Sequence, residues 1–317
     1  MIAREPAELV AEARGGSRGA LARLLTYVES GGETQRATAA LAYAAPAPYV
    51  VGITGPPGGG KSTLTDRLIA LVLARSYDGA PLGQVGVLCV DPSSPFTGGA
   101  ILGDRIRMQG HATDPRVYIR SMATRGHLGG LSLAVPDALR VLGAVGFALA
   151  IVETVGVGQL EVDVASAAET TVVVTNPGWG DSLQANKAGL LEVADVFVIN
   201  KADRAGVADT RRDLEQMLDL GGERPWRPPI LATVATTGEG TTELVEAIEA
   251  HRAFLVARGD DPRRARARAE LDRVLAATLR ARVGALAGDA AYEAQIDALL
   301  AGTTDPYRAA DTLLSRP

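Results

Sequence analysis

The chain has 317 residues, of which 47% are hydrophobic and 22% charged, with a formal net charge of −5. That size suits one large α/β domain with attachments, and that balance suits a globular protein. The acidic charge argues against a nucleic-acid binder held by a broad basic surface, and a single cysteine, Cys89, cannot form an internal disulfide, which points to a reducing compartment. Residues 1–47 read as a helical extension in which Leu21, Leu24, Leu25 and Val28 share one face. Its first residues lack the apolar core of a signal peptide, and no window approaches the roughly 18 uninterrupted apolar residues of a membrane span. The expectation is a cytoplasmic protein.

From about residue 48 short β-branched runs alternate with helical patterns. The predicted strands are "YVVGIT", "VGVLCV", "VYIRSM", "ALAIVE", "TTVVVT", "DVFVIN" and "PILATV". Continuous apolar runs of this kind suit strands buried on both faces of a mostly parallel sheet. Helices are expected at Ser62–Arg75, Asp181–Val193 and Val207–Leu218 among others, which makes residues 48–255 a doubly wound α/β domain. Residues 256–317 return to helix, with Leu271, Val274, Leu275 and Leu279 on one face and an Arg-rich run at 263–268 that reads as a solvated helix face. The stripe must be covered by its own domain or by a second subunit.

In "GITGPPGGGKSTL", Gly55-x4-Gly60-Lys61-Ser62 follows an apolar strand and precedes a helix. A P-loop needs this context, because the turn aims backbone N–H groups and a helix N-terminus at phosphates. Gly58, Gly59 and Gly60 permit positive φ and close backbone approach. The expected cradle is Gly55, Pro56, Pro57, Gly58, Gly59, Gly60, Lys61, Ser62 and Thr63, with Lys61 on the β- and γ-phosphates and the Ser62 hydroxyl on Mg2+.

The run "DVFVIN" leads into Asn200-Lys201-Ala202-Asp203, the N-K-x-D pattern that reads guanine. Asp203 can accept from the guanine N1–H and the exocyclic amine, whereas adenine offers neither donor there. Asn200 would meet the O6/N7 edge and the Lys201 stem would cover the ring. The loop in "ILATVATTGEG", Thr233, Val234 and Ala235, would complete the base side.

Three acids remain for the metal side. Asp91 ends a strand, and Asp104 follows in a long glycine-bearing loop; both are candidates for Mg2+ or its waters, and both also read as caps of a strand and a helix. Arg105 and Arg107 beside them carry no assignment. Glu153 ends the strand "ALAIVE" where many nucleotide-hydrolysing enzymes place an aspartate, and Gly156 follows it. Between a P-loop and a guanine motif, Glu153 falls where γ-phosphate and Mg2+ are sensed, its longer side chain suggesting contact through a bound water. Gly156 would turn its N–H to the γ-phosphate.

"GPPGGGKSTL", "VDPSSPFTGGAILGDRIRM", "ETVGVGQ", "GDSLQANKAG" and "NKAD", in this order and spacing, closely resemble the MeaB/ArgK family over residues of about 20 to 255. These are G-protein chaperones of adenosylcobalamin-dependent methylmalonyl-CoA mutase, with a human relative linked to cobalamin A-type methylmalonic aciduria. The resemblance implies a homodimer, with the C-terminal extension as its dimerisation arm, GTP/GDP and Mg2+ as ligands, and gated delivery and protection of the mutase's cobalamin. It implies no cobalamin bound directly. It makes Asp91 and Asp104 switch-loop acids near Mg2+ and Glu153 the family's acid in the aspartate's place. It also sets Gln184 and Lys187, in an additional switch loop, near nucleotide and partner as catalytic candidates. Leu160 departs from the small polar residue that family members commonly carry after Gln159.

GTP hydrolysis needs an in-line water, Mg2+ across the β- and γ-phosphates and positive charge for the transition state. Ras-like enzymes orient that water with a glutamine directly after D-x-x-G, but here that place holds Val157. Slow intrinsic turnover, raised when a partner orders the loops, is the expectation, with Gln159 or Lys187 contributing. One alternative is an ATP-dependent kinase or ATPase of an arginine/ornithine (LAO/AO) transport system, which fits the P-loop but not Asp203. Another is a metallochaperone GTPase, which needs soft ligands where the chain has only Cys89, His111, His127 and His251. Spacing alone says only that this is a GTP-driven switch; it names neither the client mutase nor the dimer interface.

Overall fold

The computed structural model describes residues 4–77, 80–81, 83–91, 109–111, 113–123, 134–154, 167–178, 193–222, 224–259, 261–286 and 289–315. Their contacts group into two units, residues 1–262 and 263–317.

In the first unit, each apolar run forms a strand: β1 (Tyr49–Thr54), β2 (Val85–Asp91), β3 (Val117–Ala123), β4 (Leu149–Thr154), β5 (Thr170–Thr175), β6 (Val196–Asn200) and β7 (Ile230–Thr233). They make one seven-stranded sheet in the order β3-β2-β4-β1-β5-β6-β7, every neighbouring pair parallel. This is the predicted doubly wound, parallel α/β P-loop architecture with helical extensions. Parallel strands need crossovers, and the described ones include α4 (Lys61–Ala74), α5 (Ala134–Ala144) and α6 (Val207–Leu220), while α7 (Thr241–Ala257) follows the last strand. The predicted helix at Asp181–Val193 lies outside the described residues except at its last position.

Alternation along each strand sorts residues between the two faces. Val51, Ile53, Val87, Cys89, Ile151, Val172, Val174 and Val198 pack under α4 and α7 with Leu64, Leu68, Ile69, Leu244 and Val245. Val173, Phe197 and Ile199 meet Leu214 and Leu218 of α6. Val50, Leu88, Val90, Met122 and Val152 join a core with α5 and with three N-terminal helices, α1 (Pro6–Arg14), α2 (Arg18–Ser30) and α3 (Gly32–Tyr43). The predicted stripe Leu21, Leu24, Leu25 and Val28 is buried there. Each such leucine contributes roughly 2 kcal/mol by leaving water, so α1–α3 are fastened by packing. Polar bonds add register. Arg18 donates to the Val117 carbonyl at 2.9 Å, and Arg120 to the Ala22 carbonyl at 3.1 Å, so α2 covers edge strand β3.

At the amino edge of the sheet, His251 of α7 has Nδ1 2.8 Å from Thr170 Oγ1 and Nε2 3.3 Å from Asp195 Oδ1. Asp195 Oδ2 accepts from the Thr171 N–H at 2.8 Å, and the Tyr49 hydroxyl bonds Thr170 Oγ1. Burial in this corner pushes the Tyr49 phenol up to about 12.

The second unit is helical. It comprises most of α8 (Asp261–Leu286), then α9 (Ala290–Leu300) and α10 (Pro306–Leu314). Asp305 caps α10 by accepting from the Tyr307 and Arg308 N–H groups at 3.0 Å each. On α8, Leu271, Val274, Leu275, Leu279 and Val283 recur at three- and four-residue spacing and are exposed. Among the described residues no helix is long and apolar enough to cross a membrane.

Candidate nucleotide site at the carboxyl edge of the sheet

Strand β1 ends at Thr54, and the turn from Gly55 to Gly60 feeds directly into α4. Two glycines there have no substitute. Gly55 has φ 135°, and a Cβ on it would lie 2.0 Å from the Val174 carbonyl oxygen of β5. Gly60 has φ 87°, and a Cβ there would lie 2.2 Å from Asn200 Nδ2. The backbone is packed between two neighbouring strand ends, and this closeness is what the glycine pattern supplies. Lys61 is buried, and its ammonium donates to the carbonyls of Gly55 at 2.8 Å and Pro56 at 3.0 Å, so the loop folds around it. Ser62 follows in the first turn of α4, where the N–H groups of a helix start and the helix dipole favour an anion.

The guanine motif lies against this loop. Asn200 ends β6 and is buried; its Nδ2 donates to the Gly59 carbonyl at 2.8 Å. Its Oδ1 accepts from the Ala235 N–H and the Thr233 hydroxyl, both at 3.1 Å. One amide thus joins three loops: the cradle, the N-K-x-D turn and the segment Thr233, Val234, Ala235. Lys201 adopts φ 60°, a left-handed conformation unusual for a residue with a side chain, and its Nζ donates to the Gly58 carbonyl at 2.7 Å. The Ala202 N–H donates to the Thr233 carbonyl at 3.0 Å, and Asp203 follows, exposed, in the same turn.

Glu153 is buried on β4, in register with Ile53 of β1 and Cys89 of β2. Its carboxylate does not cap the strand. Oε1 accepts from the Ser62 hydroxyl at 2.5 Å and Oε2 from the Thr65 hydroxyl at 2.9 Å, so the acid reaches across to α4. A hydroxyl and a carboxylate beside a phosphate cradle form a hard, all-oxygen set. It fits Mg2+, which takes one or two protein oxygens and completes its shell with phosphate and water. Among the described residues no three His, Cys, Asp or Glu side chains cluster.

Of the other predicted metal and switch residues, Asp91 ends β2, adjacent to β4, and its side chain lies outside the described residues. Asp104, Gly156, Val157, Gln159, Leu160, Gln184, Lys187, Arg105 and Arg107 also lie outside them. Sequence reasoning passed over Thr65. It sits three residues after Ser62, and helical spacing puts the two on one face, but a lone threonine in an apolar helix carries no signal until the acid opposite it is known.

A family model described as methylmalonyl-CoA mutase-associated GTPase MeaB matches residues 21–286. A Pyrococcus horikoshii protein whose name describes it as a GTPase is 47% identical over 316 residues, covering 98% of this chain and 97% of its own. The mouse mitochondrial methylmalonic aciduria type A homolog is 35% identical over 220 residues, covering 68% of this chain and 52% of its own. A solved structure of an LAO/AO transport system kinase superposes with a TM-score of 0.70 at 27% identity, over 99% of this chain and 98% of its own. With the glycine turn, the N-K-x-D turn and a carboxylate joined as described, and the family model spanning most of its length, the chain belongs to the MeaB family of GTPases.

Proposed function

We propose that this protein is a GTP-driven switch that gates cofactor delivery to, and protects, an adenosylcobalamin-dependent acyl-CoA mutase, with methylmalonyl-CoA mutase as the first candidate client. The family description names that mutase, and the mouse relative is named for methylmalonic aciduria. The observation that carries the switch reading is the bond from Ser62 to Glu153, which joins the strand-end acid to the first turn of the P-loop helix. A change at the γ-phosphate and metal position would be felt on β4, and the chain continues from β4 into Gly156 and Val157.

In this reading Lys61 exchanges its two loop carbonyls for the β- and γ-phosphates when GTP enters, with Gly55 to Thr63 wrapped around them. Asp203 reads the guanine edge and Lys201 covers the ring. Charge building on the transferred phosphate would be offset by Mg2+ held through Ser62 and Glu153, with Asp91 and Asp104 as further acids on its water shell. Val157 can neither donate nor accept, so the chain alone turns over slowly. Gln184, Lys187 or Gln159 takes part once the client orders the loops. The exposed stripe of α8 supports a homodimer. Cobalamin stays on the mutase, and the site of action is the cytoplasm.

Co-purification with a candidate mutase, followed by GTPase rates with and without it, tests this reading. The expected result is a stable complex and a rate raised at least tenfold; turnover of tens per second by the chain alone would refute it. The likeness to the LAO/AO kinase favours a second reading, an ATP-dependent transport kinase. Titration with GDP and ADP separates the two, since equal affinities would remove the guanine reading.

A further inference from the structure

A glutamate on a strand has three side-chain torsions to settle before its carboxylate points anywhere. Thr65 bears on that problem. It is fully buried one turn beyond Ser62 on α4, and its hydroxyl lies 2.9 Å from Glu153 Oε2 and 3.0 Å from the Lys61 carbonyl of its own helix. Ser62 takes Oε1. Two hydroxyls on successive turns of one helix therefore grip the two oxygens of one carboxylate.

We infer that Thr65 is the positioning residue for Glu153: by holding Oε2 it leaves Oε1 turned toward Ser62 and the metal position. The inference rests on the reading of Glu153 as a metal-side acid and adds what fixes that acid in place. It also accounts for the extra methylene. An aspartate at position 153 would be shorter by one carbon–carbon bond, about 1.5 Å. From the β4 backbone it could not take both hydroxyls at these distances, so the pair on α4 suits a glutamate. A buried carboxylate oxygen needs a donor, and the one O–H proton of Thr65, shared with the Lys61 carbonyl, supplies it.

The test measures release of a fluorescent GDP from the full-length protein across a range of Mg2+ concentrations and in EDTA. It compares wild type, Thr65→Val, Thr65→Ser, Glu153→Gln and the Thr65→Val/Glu153→Gln double variant. The loss of one hydrogen bond to a charged group should raise the Mg2+ concentration for half-maximal slowing of release about tenfold in Thr65→Val. Release in EDTA should stay within about twofold of wild type, because the metal-free nucleotide contacts are untouched. Thr65→Ser should behave as wild type, and in the double variant the loss of Thr65 should add nothing to that of Glu153. Wild-type Mg2+ dependence in Thr65→Val beside a shifted Glu153→Gln overturns the inference and leaves Glu153 its role. A Glu153→Gln protein with unshifted Mg2+ dependence removes the reading of Glu153, and the inference with it. Equal shifts in the Val and Ser variants, or faster release in EDTA for Thr65→Val, would assign Thr65 to packing and overturn its positioning role.

Discussion

Replacing Asn200 by alanine should separate the cradle from the base side of the site. Its side chain makes three buried hydrogen bonds, to the Gly59 carbonyl at 2.8 Å and from the Ala235 N–H and Thr233 hydroxyl at 3.1 Å each. At a net contribution of about 1 kcal/mol per bond, Asn200→Ala should cost about 3 kcal/mol. With a urea slope of roughly 3 kcal/mol per molar for a chain of this size, the unfolding midpoint should fall by about 1 M. GDP affinity should fall as well, because the three loops no longer share an anchor. Asn200→Asp should be at least as damaging, since it turns a carboxylate oxygen on the Gly59 carbonyl that the amide Nδ2 now serves. A midpoint for Asn200→Ala within about 0.2 M of wild type, with unchanged GDP binding, would refute the view that this amide holds the site together.

Three further outcomes are expected. Asp203→Ala should lower the preference for GDP over ADP on the order of 100-fold, with ADP binding little changed in a fluorescence titration. Gly55→Ala places a methyl group 2.0 Å from a backbone carbonyl on β5, where neither side can yield, and should abolish GDP binding at a cost of at least about 3 kcal/mol in denaturant unfolding. Burial raises the Tyr49 phenol from 10.0 to about 12, so the folded protein holds that proton more tightly than the unfolded chain. Its contribution is whole below pH 10 and is lost as pH rises toward 12. Tyr49→Phe should flatten that part of the stability curve, and an identical alkaline limb in both proteins would count against it.

The strands were legible because each is a run of β-branched and apolar residues bounded by turn residues, and a parallel sheet buried on both faces demands that pattern. The cradle and the guanine motif were legible for a related reason. Their chemistry is local, set by glycine spacing and by residues adjacent in the chain, so no long-range contact is needed to recognise them. Glu153 is of another kind. Acid at a strand end has the same sequence signature whether it caps the strand or reaches a neighbour. Only the placement of α4 above β4 decides, by bringing the hydroxyls of Ser62 and Thr65 to its two oxygens. Asn200 shows the same division. Its motif suggests a base reader, while its bonds to Gly59 and Ala235 depend on β6 ending between β5 and β7, an order that sequence does not state. Sequence by itself determined the strands and the glycine turn that joins β1 to α4, because short-range sterics and spacing encode them. Tertiary structure alone decided which side chains share a hydrogen bond across strand and helix, because those pairings join residues 33 to 141 positions apart.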